Sequence, residues 1–405
     1  MMQLNAFTLA LKSLRHKPLS TALNLLLMAA GIAMMTFVLS ASKQLEDSAL
    51  RDAQGIDLVV GAKGSPLQLI LSSIYHLDTP TGNIPLAAQA LLAHNLMVKQ
   101  VIPLALGDSY NGFRIVGTNR DYIDHYGGVV ARGRLFGTPM QAVFGAQAAA
   151  VSGAAVGAQF TGSHGLTRGG EEHKGAPYTV VGILKPTGTV LDRLVLTPVE
   201  SVWKVHEVVN GIDVNDKEEK AAMDSERELT ALLVQYASPL AAVTMPRFIN
   251  SQSELQAAQP AFEAAKLFRM LGVGVDVLRG IAAIVLASAA LSMFVALYNA
   301  LEERKTDLAI LRTLGAPPVK LFTLLLFEGL LLAIAGAVLG WLLGHAAVEV
   351  LGHALSDDQN LTLSGWIVTA DESWLLAVTG AVGLAAAMIP AIRAYRTDIA
   401  ATLAH

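Results

Sequence analysis

Long runs of apolar residues without charges occur four times along the chain. A helix needs about 20 consecutive apolar residues to cross the hydrocarbon core of a bilayer. The runs predict spans at residues 19–42, 277–300, 321–348 and 373–392. The sequence therefore predicts an α-helical membrane protein with four transmembrane helices and a large α/β domain inserted between the first two.

The residues before the first span predict a short amphipathic helix on the membrane surface. In residues 1–18, apolar positions recur at helical spacing, with Lys12 and Arg15 off that face. The apolar positions are Leu4, Phe7, Leu11 and Leu14. A cleaved signal peptide is the alternative, but its apolar core would be only about 7 to 15 residues long. We therefore interpret the first span as an uncleaved anchor.

Basic residues predict the orientation of the spans. They cluster before the first span, between the second and third, and after the fourth. By the positive-inside rule, that side is the cytoplasm of a multi-pass protein in the bacterial inner membrane. Loop 301–320 and tail 393–405 are then cytoplasmic, whereas domain 43–276 and the short loop 349–372 are extracytoplasmic.

The pattern of residues 43–276 is typical of a mixed α/β domain. Short β-rich runs at 57–60, 113–117, 178–184 and 194–196 are separated by turn residues. Residues 41–51 and 253–269 predict helical stalks that lead to the membrane. Near the second stalk, Gly272 and Gly274 indicate either a hinge or a simple helix break. Residues 213–228 are highly charged and predict a mobile insertion.

Small and polar residues within the spans are candidates for helix packing. Glycines let helix backbones approach closely in a bilayer, although membrane helices are also simply rich in glycine. The candidates are Gly336, Gly340, Gly344, Gly380 and Gly383. Glu328 lies inside the third span, where an unpaired carboxylate is costly. We expect it to face the bundle or a neighbouring subunit, in a structural hydrogen bond rather than in transport chemistry.

Composition excludes several classes of protein. The 405 residues are 53% hydrophobic and 15% charged, with a net charge of −4, and the mean hydropathy is +0.48. This is too apolar for a water-soluble globule, and nothing indicates a nucleic-acid partner. Without cysteine, the chain forms no disulfide or thiolate metal site. We find no phosphate-binding loop, zinc-protease, serine-hydrolase or kinase signature, so we expect a non-catalytic chain.

A glycine-rich loop in the outer segment carries weak candidates for metal ligands. His164 and His173 bracket Glu171 and Glu172. Histidine and carboxylate side chains bind zinc and similar ions, but the spacing matches no standard site. A flexible, solvated loop is the favoured interpretation.

The cytoplasmic loop between the second and third spans is the most informative segment. Residues 302–316 predict a short amphipathic helix that ends at Gly315, with leucines every three residues and charges beside them. Arg304 through Ala316 resemble the loop of FtsX/MacB-type permeases, the type VII ABC transporter family. Residues 390–398 are similar to that family's ending, although Ile399 stands where a proline is common.

The resemblance implies a MacB-like outer domain and a loop helix that contacts a separate ATPase subunit, which binds ATP and Mg²⁺. It makes a set of loop residues candidates for coupling to the ATPase. They are Arg304, Lys305, Asp307, Leu308, Ile310, Leu311, Arg312 and Gly315. The alternative for Arg304 and Lys305 is that they only anchor the membrane boundary.

Three functions remain open at this point. The first is a permease subunit that uses ATP hydrolysis by its partner to export or extract a lipid, lipoprotein, peptide or drug-like substrate. The second is a mechanical transmitter that activates an extracytoplasmic partner such as a cell-wall hydrolase. The third is a metal-related receptor or transporter. Expected partners are the ATPase, a second permease subunit in a homodimer or heterodimer, a periplasmic protein and membrane lipids.

Overall fold

The computed structural model divides the chain into two compact units. The membrane unit comprises Met1–Leu45, Leu271–Asp357 and Leu361–His405. The outer domain comprises Glu46–Met270 together with Asp358–Asn360. Within these units, the structure describes residues 6–165, 175–209, 227–313, 315–358 and 363–396. The predicted insertion 213–228 lies almost entirely outside the described residues.

Helices and strands alternate in the outer domain, and long helices flank it in sequence. The α-helices are α1 Ala6–His16, α2 Pro18–Ala53, α3 Pro66–Ser73, α4 Ala87–Ala93, α5 Arg120–His125, α6 Ala146–Ser152, α7 Val199–Val209, α8 Ala241–Asn250, α9 Pro260–Glu303, α10 Lys305–Thr313, α11 Pro318–Asp358 and α12 Asp371–Tyr395. The strands are β1 Leu58–Ala62, β2 Ile84–Pro85, β3 Val98–Tyr110, β4 Phe113–Thr118, β5 Val130–Gly133, β6 Gln141–Phe144, β7 Gln159–Phe160, β8 Ser163–His164, β9 Tyr178–Leu184, β10 Val195–Pro198, β11 Glu228–Leu229, β12 Ala231–Tyr236 and β13 Leu255–Ala258. A 3₁₀ helix covers Val190–Arg193.

Four helices in the described part of the chain are long and apolar enough to cross a membrane. They are α2, α9, α11 and α12, whose most apolar windows have a mean hydropathy of 2.1 to 2.3. A helix pairs its own backbone groups, which is what a water-free bilayer core requires. The predicted fold class, with four transmembrane helices and an α/β domain after the first, is confirmed. The predicted outer loop 349–372 is shorter than expected, because α11 continues to Asp358.

Three glycines of α11 bring it close to α2. A Cβ added to Gly336, Gly340 or Gly344 would lie only 2.6 to 2.7 Å from the nearest atom of α2. Real Cβ atoms do not approach other atoms this closely, so a side chain at these positions would push the helices apart. These glycines therefore form the packing face of α11 toward α2.

The glycines of α12 differ from each other. A Cβ on Gly383 would lie 2.3 Å from Ala333 Cβ in α11, so Gly383 also permits close packing. Gly380 has no described atom within 4 Å of the corresponding position. The predicted packing role of Gly380 is therefore not met by contacts within the described residues.

The outer domain is built on an 11-stranded sheet. The strands follow the order β13-β1-β12-β3-β4-β10-β6-β9-β5, with β7 beside β9 and β8 beside β3. Along β1 and β12, successive buried residues pack alternately into two apolar clusters: Leu58 and Leu232 enter one, whereas Val59 and Leu233 enter the other. Both faces of these strands are thus covered, which explains their continuous apolar runs. The predicted runs fall on β1, β4, β9 and β10.

The second predicted stalk begins later in the sequence than expected. Residues 255–258 form β13, which pairs antiparallel with β1, and the helix begins only at Pro260. Proline suits the first turn of a helix, where its missing N–H leaves no backbone bond unmade. The helix then continues through Gly272 and Gly274 without a break.

Candidate functional site at the cytoplasmic helix ends

The C-terminal end of the loop helix α10 is followed by residues that stop helices. Gly315 has a φ of +94°, and its N–H donates to Arg312 O over 3.0 Å. Glycine adopts this left-handed conformation without strain, so it is well suited to end a helix. Pro318 then begins α11. The nine residues of α10 are therefore a separate helix and not an extension of a span.

Arg304, between α9 and α10, turns its side chain into the membrane unit. Its guanidinium donates a hydrogen bond to Ser13 Oγ of α1. The same group lies 3.7 Å from Glu328 Oε1 of α11. Arg304 therefore links the loop to two other helices, rather than pointing freely outward as a docking residue would.

Glu328 is the buried partner of Arg304. Its side chain is 2% exposed, and its Oε1 accepts no hydrogen bond from the described residues. A cavity of about 20 Å³, lined by Glu328, Arg304 and apolar side chains, lies beside it. This volume admits one water molecule. Because a buried carboxylate without a cation is strongly destabilising, Glu328 holds Arg304 in place.

Two ion pairs surround this contact. Lys17, immediately before α2, pairs with Glu303 at the end of α9. Lys305 pairs with Glu302 one helical turn earlier in the chain. Exposed pairs of this kind contribute little to stability, but the first joins two helices that are far apart in sequence.

The other described candidates for coupling lie on α10 or just after it. The side chain of Lys305 is 43% exposed, and Ile310 is 46% exposed. Arg312 is half-buried and Gly315 is exposed. An exposed apolar side chain such as that of Ile310 is suited to enter the apolar core of a protein–protein contact. The candidates whose side chains lie outside the described part of the chain are Asp307, Leu308 and Leu311.

Two sequence families match most of the chain. Residues 21–242 match the MacB-like periplasmic core domain, and residues 279–399 match the FtsX-like permease C-terminal family. The chain belongs to the FtsX/MacB-type permeases. It is accordingly a component of a type VII ABC transporter in the inner membrane, and the family implies an ABC ATPase as partner. None of the curated proteins matches the chain significantly.

Solved structures of outer domains are similar to part of this permease. The periplasmic region of MacB from Actinobacillus actinomycetemcomitans is 11% identical, with a TM-score of 0.35, over 54% of this chain and 97% of the other. The extracellular domain of the noncanonic ABC-type transporter YknZ from Gram-positive bacteria is 16% identical, with a TM-score of 0.31, over 50% of this chain and 99% of the other.

Three of the four weak candidates for metal ligands lie outside the described residues of this permease. His164 lies in β8, opposite Asp108 of β3. Glu171, Glu172 and His173 lie outside the described residues. Within the parts of the chain that the structure describes, no group of three or more histidine, aspartate or glutamate residues is arranged to hold a metal ion.

Sequence reasoning missed a buried ion pair in the outer domain of this permease. Asp52, in the last turn of α2, accepts hydrogen bonds from Val190 N at 2.7 Å and Arg193 Nη2 at 3.3 Å. Tyr126 OH donates to the carbonyl of Asp52 over 2.8 Å. Burial lowers the pKa of Arg193, and the Asp52 carboxylate opposes that shift. These contacts join the end of α2 to the 3₁₀ helix, and only folding brings the two segments together.

A second missed group is His76. Its Nε2 lies 3.0 Å from Tyr122 OH inside the outer domain. Burial, together with the nearby charges of Arg114 and Arg193, holds the pKa of His76 well below its usual range. The ring is therefore neutral at physiological pH.

Proposed function

We propose that this permease couples ATP hydrolysis by a separate ATPase, which binds ATP and Mg²⁺, to movement of its outer domain. The movement would export or extract a lipid, lipoprotein, peptide or drug-like substrate, with a second permease subunit completing the transporter. One observation carries the proposal. The separate helix α10 presents Ile310 and Lys305 on its surface, while the adjoining Arg304 is tied into the bundle.

The contacts of Arg304 suggest how movement of α10 enters the bundle. A displacement of α10 acts on Arg304 and, through it, on Ser13 of α1 and Glu328 of α11. It also acts directly on α9, which is continuous over 44 residues, about 66 Å at 1.5 Å per residue. A continuous helix passes a displacement along its length, so α9 is the element that we expect to carry movement away from the cytoplasm.

Replacing Ile310 tests the docking surface. We expect Ile310→Asp to weaken association with the co-purifying ATPase by about tenfold or more, which corresponds to about 1.4 kcal/mol, because a charge would be buried in the contact. Binding would be measured between detergent-solubilised permease and ATPase. The matched control is Leu96→Asp, since Leu96 is an exposed apolar residue of the outer domain, 96% exposed. Equal ATPase binding by Ile310→Asp and the parent would contradict the docking role of α10.

A second measurement separates transport from mechanical signalling. In proteoliposomes containing both subunits, transport predicts that ATP displaces a labelled lipid, lipoprotein, peptide or drug-like substrate. A mechanical transmitter predicts ATP-dependent activation of an outer partner with no substrate displaced. Both require the contact at α10, so the Ile310→Asp variant serves as the negative control in each assay.

A further inference from the structure

Polar side chains from two helices hold the start of the segment before α12. We call residues 363–369 the clasp loop. Ser364 N donates to Gln44 Oε1 of α2, and its carbonyl accepts from Gln44 Nε2, both over 2.9 Å. Gly365 N donates to Glu349 Oε2 of α11 over 2.7 Å. His345 Nδ1 of α11 lies 2.7 Å from the carbonyl of Gly365. Both backbone groups of two successive residues are thus paired by side chains.

A third helix holds the end of the clasp loop. Thr369 N donates to Glu372 Oε1 of α12 over 2.9 Å. The other oxygen of Glu372 lies 2.9 Å from His345 Nε2 and accepts from Trp341 Nε1 over 2.7 Å. His345 is 7% exposed and Glu372 is 2% exposed. The polar network is therefore buried beneath the loop. Its side chains make hydrogen bonds to the loop backbone that water would otherwise make.

The clasp loop is also pressed against α11. A Cβ on Gly365 would lie 2.3 Å from the carbonyl oxygen of His345. Only glycine fits at this distance. The loop is consequently a closely packed part of the membrane unit.

The outer surface of the clasp loop is apolar and has no partner in the described chain. Trp366 is 86% exposed, Ile367 51% and Val368 61%, and Trp374 in the first turn of α12 is 73% exposed. Residues 363–370 contain no charged side chain. A contiguous exposed apolar patch of this kind marks an interaction surface.

The clasp loop contacts α11 at a level that corresponds to the outer boundary of the membrane. His345 follows Lys320 by 25 residues of α11, which is about 38 Å of helix at 1.5 Å per residue. The hydrocarbon core is about 30 Å thick. With Lys320 on the cytoplasmic side, His345 and the loop packed on it lie near the outer lipid headgroups, the layer in which tryptophan is enriched.

We propose that the clasp loop is a re-entrant interfacial loop whose Trp366, Ile367 and Val368 insert among the lipids of the outer leaflet. Two observations favour lipid over a soluble protein or a second copy of this chain. The patch continues along α12 into exposed apolar residues of an established span, such as Leu376, 43% exposed. The backbone groups on either side of the patch, at Ser364, Gly365 and Thr369, are paired by side chains, which lowers the cost of holding non-helical backbone at the membrane boundary. The proposal is independent of ATP coupling.

Spin labels test the insertion, since the chain has no cysteine of its own. Ile367→Cys and, as control, Leu96→Cys would each be labelled in the full chain in lipid vesicles. We expect collisions with oxygen to exceed collisions with a water-soluble nickel complex at position 367. The reverse is expected at position 96, in the outer domain.

Two outcomes overturn the proposal. A label at position 367 that collides mainly with the nickel complex means that the loop lies in water. A label at position 367 shielded from both reagents means that protein covers it, such as a second copy.

Fluorescence gives a second readout with every other side chain intact. Lipids brominated near the headgroup should quench the tryptophan fluorescence of the parent protein. Trp366→Phe should remove part of this quenching, whereas Trp203→Phe, in the outer domain, should not. Equal quenching of the Trp366→Phe variant and the parent would also refute insertion.

Discussion

His76 shows how folding changes the chemistry of a single residue. It is 8% exposed, its backbone has a φ of +54°, and its Nδ1 has no hydrogen-bond partner among the described residues. The pKa of His76 is held well below 6.5 by burial and by the neighbouring charges of Arg114 and Arg193. Protonation is therefore disfavoured in the folded state but not in the unfolded chain.

This difference predicts a loss of stability in acid. As pH falls through about 6.5, the unfolded chain binds a proton at His76 that the folded chain does not bind. The free energy of unfolding should then fall by up to about 1.4 kcal/mol per pH unit for this group. We expect His76→Asn to lose less stability than the parent on acidification, because asparagine tolerates the left-handed backbone and does not titrate.

Thermal unfolding of the full chain at about pH 7.5 and about pH 5.5 measures this effect. The control is His94→Asn, at an exposed histidine of the same domain. Identical acid sensitivity of His76→Asn and the parent would show that His76 does not contribute.

Packing between whole helices rests on glycine positions that look alike in sequence. A Cβ on Gly340 would lie 2.6 Å from the carbonyl oxygen of Ala29 in α2, whereas no described atom lies within 4 Å of a Cβ added to Gly380 of α12. The two glycines therefore make a matched pair for testing the contact between α2 and α11.

We expect Gly340→Ala to destabilise the membrane unit by about 1–3 kcal/mol, because the added methyl forces two backbones apart. Gly380→Ala should be neutral or stabilising by up to about 1 kcal/mol, since alanine favours the helix and meets no neighbour. Thermal unfolding in detergent would compare the stabilities of the two variants with that of the parent. Equal stability of the two variants would show that α2 and α11 do not need this close approach.

At the scale of the whole molecule, α9 is the element that we expect to carry movement. Gly272 and Gly274 lie within it, and neither has a described atom within 4 Å of an added Cβ. They leave the helix unbroken, so the helix break that the sequence offered as one alternative is absent there. The helix is weaker there than alanine would make it, by about 1 kcal/mol per glycine.

Kinking α9 should separate ATP hydrolysis from movement of the outer domain. Gly272→Pro interrupts a helix at a cost of about 3 kcal/mol or more. We expect this variant to bind the ATPase normally but to lose ATP-dependent distance changes between two spin labels in the outer domain. Gly272→Ala should retain both properties. Unchanged movement in the proline variant would mean that α9 does not transmit the displacement.

The sequence by itself determined the spans, their orientation, the outer α/β domain and the loop helix with its glycine end. These features follow from local composition. A span needs only about 20 uncharged apolar residues, its orientation follows from clustered lysines and arginines, and a left-handed glycine ends a helix; none of these requires a distant partner. The sheet strands β1 and β9 were predicted for the same reason, from their own apolar runs.

Only the tertiary structure decided which distant residues meet. It turned Arg304 toward Ser13 and Glu328, joined Asp52 to Arg193, and paired residues 255–258 with β1 where their own pattern favours a helix. It also fixed the clasp loop through side chains of three helices. Burial removes water from polar groups, and each must then find a partner wherever the fold supplies one. That requirement is set by the whole molecule, which is why the pattern of a single segment does not reveal it.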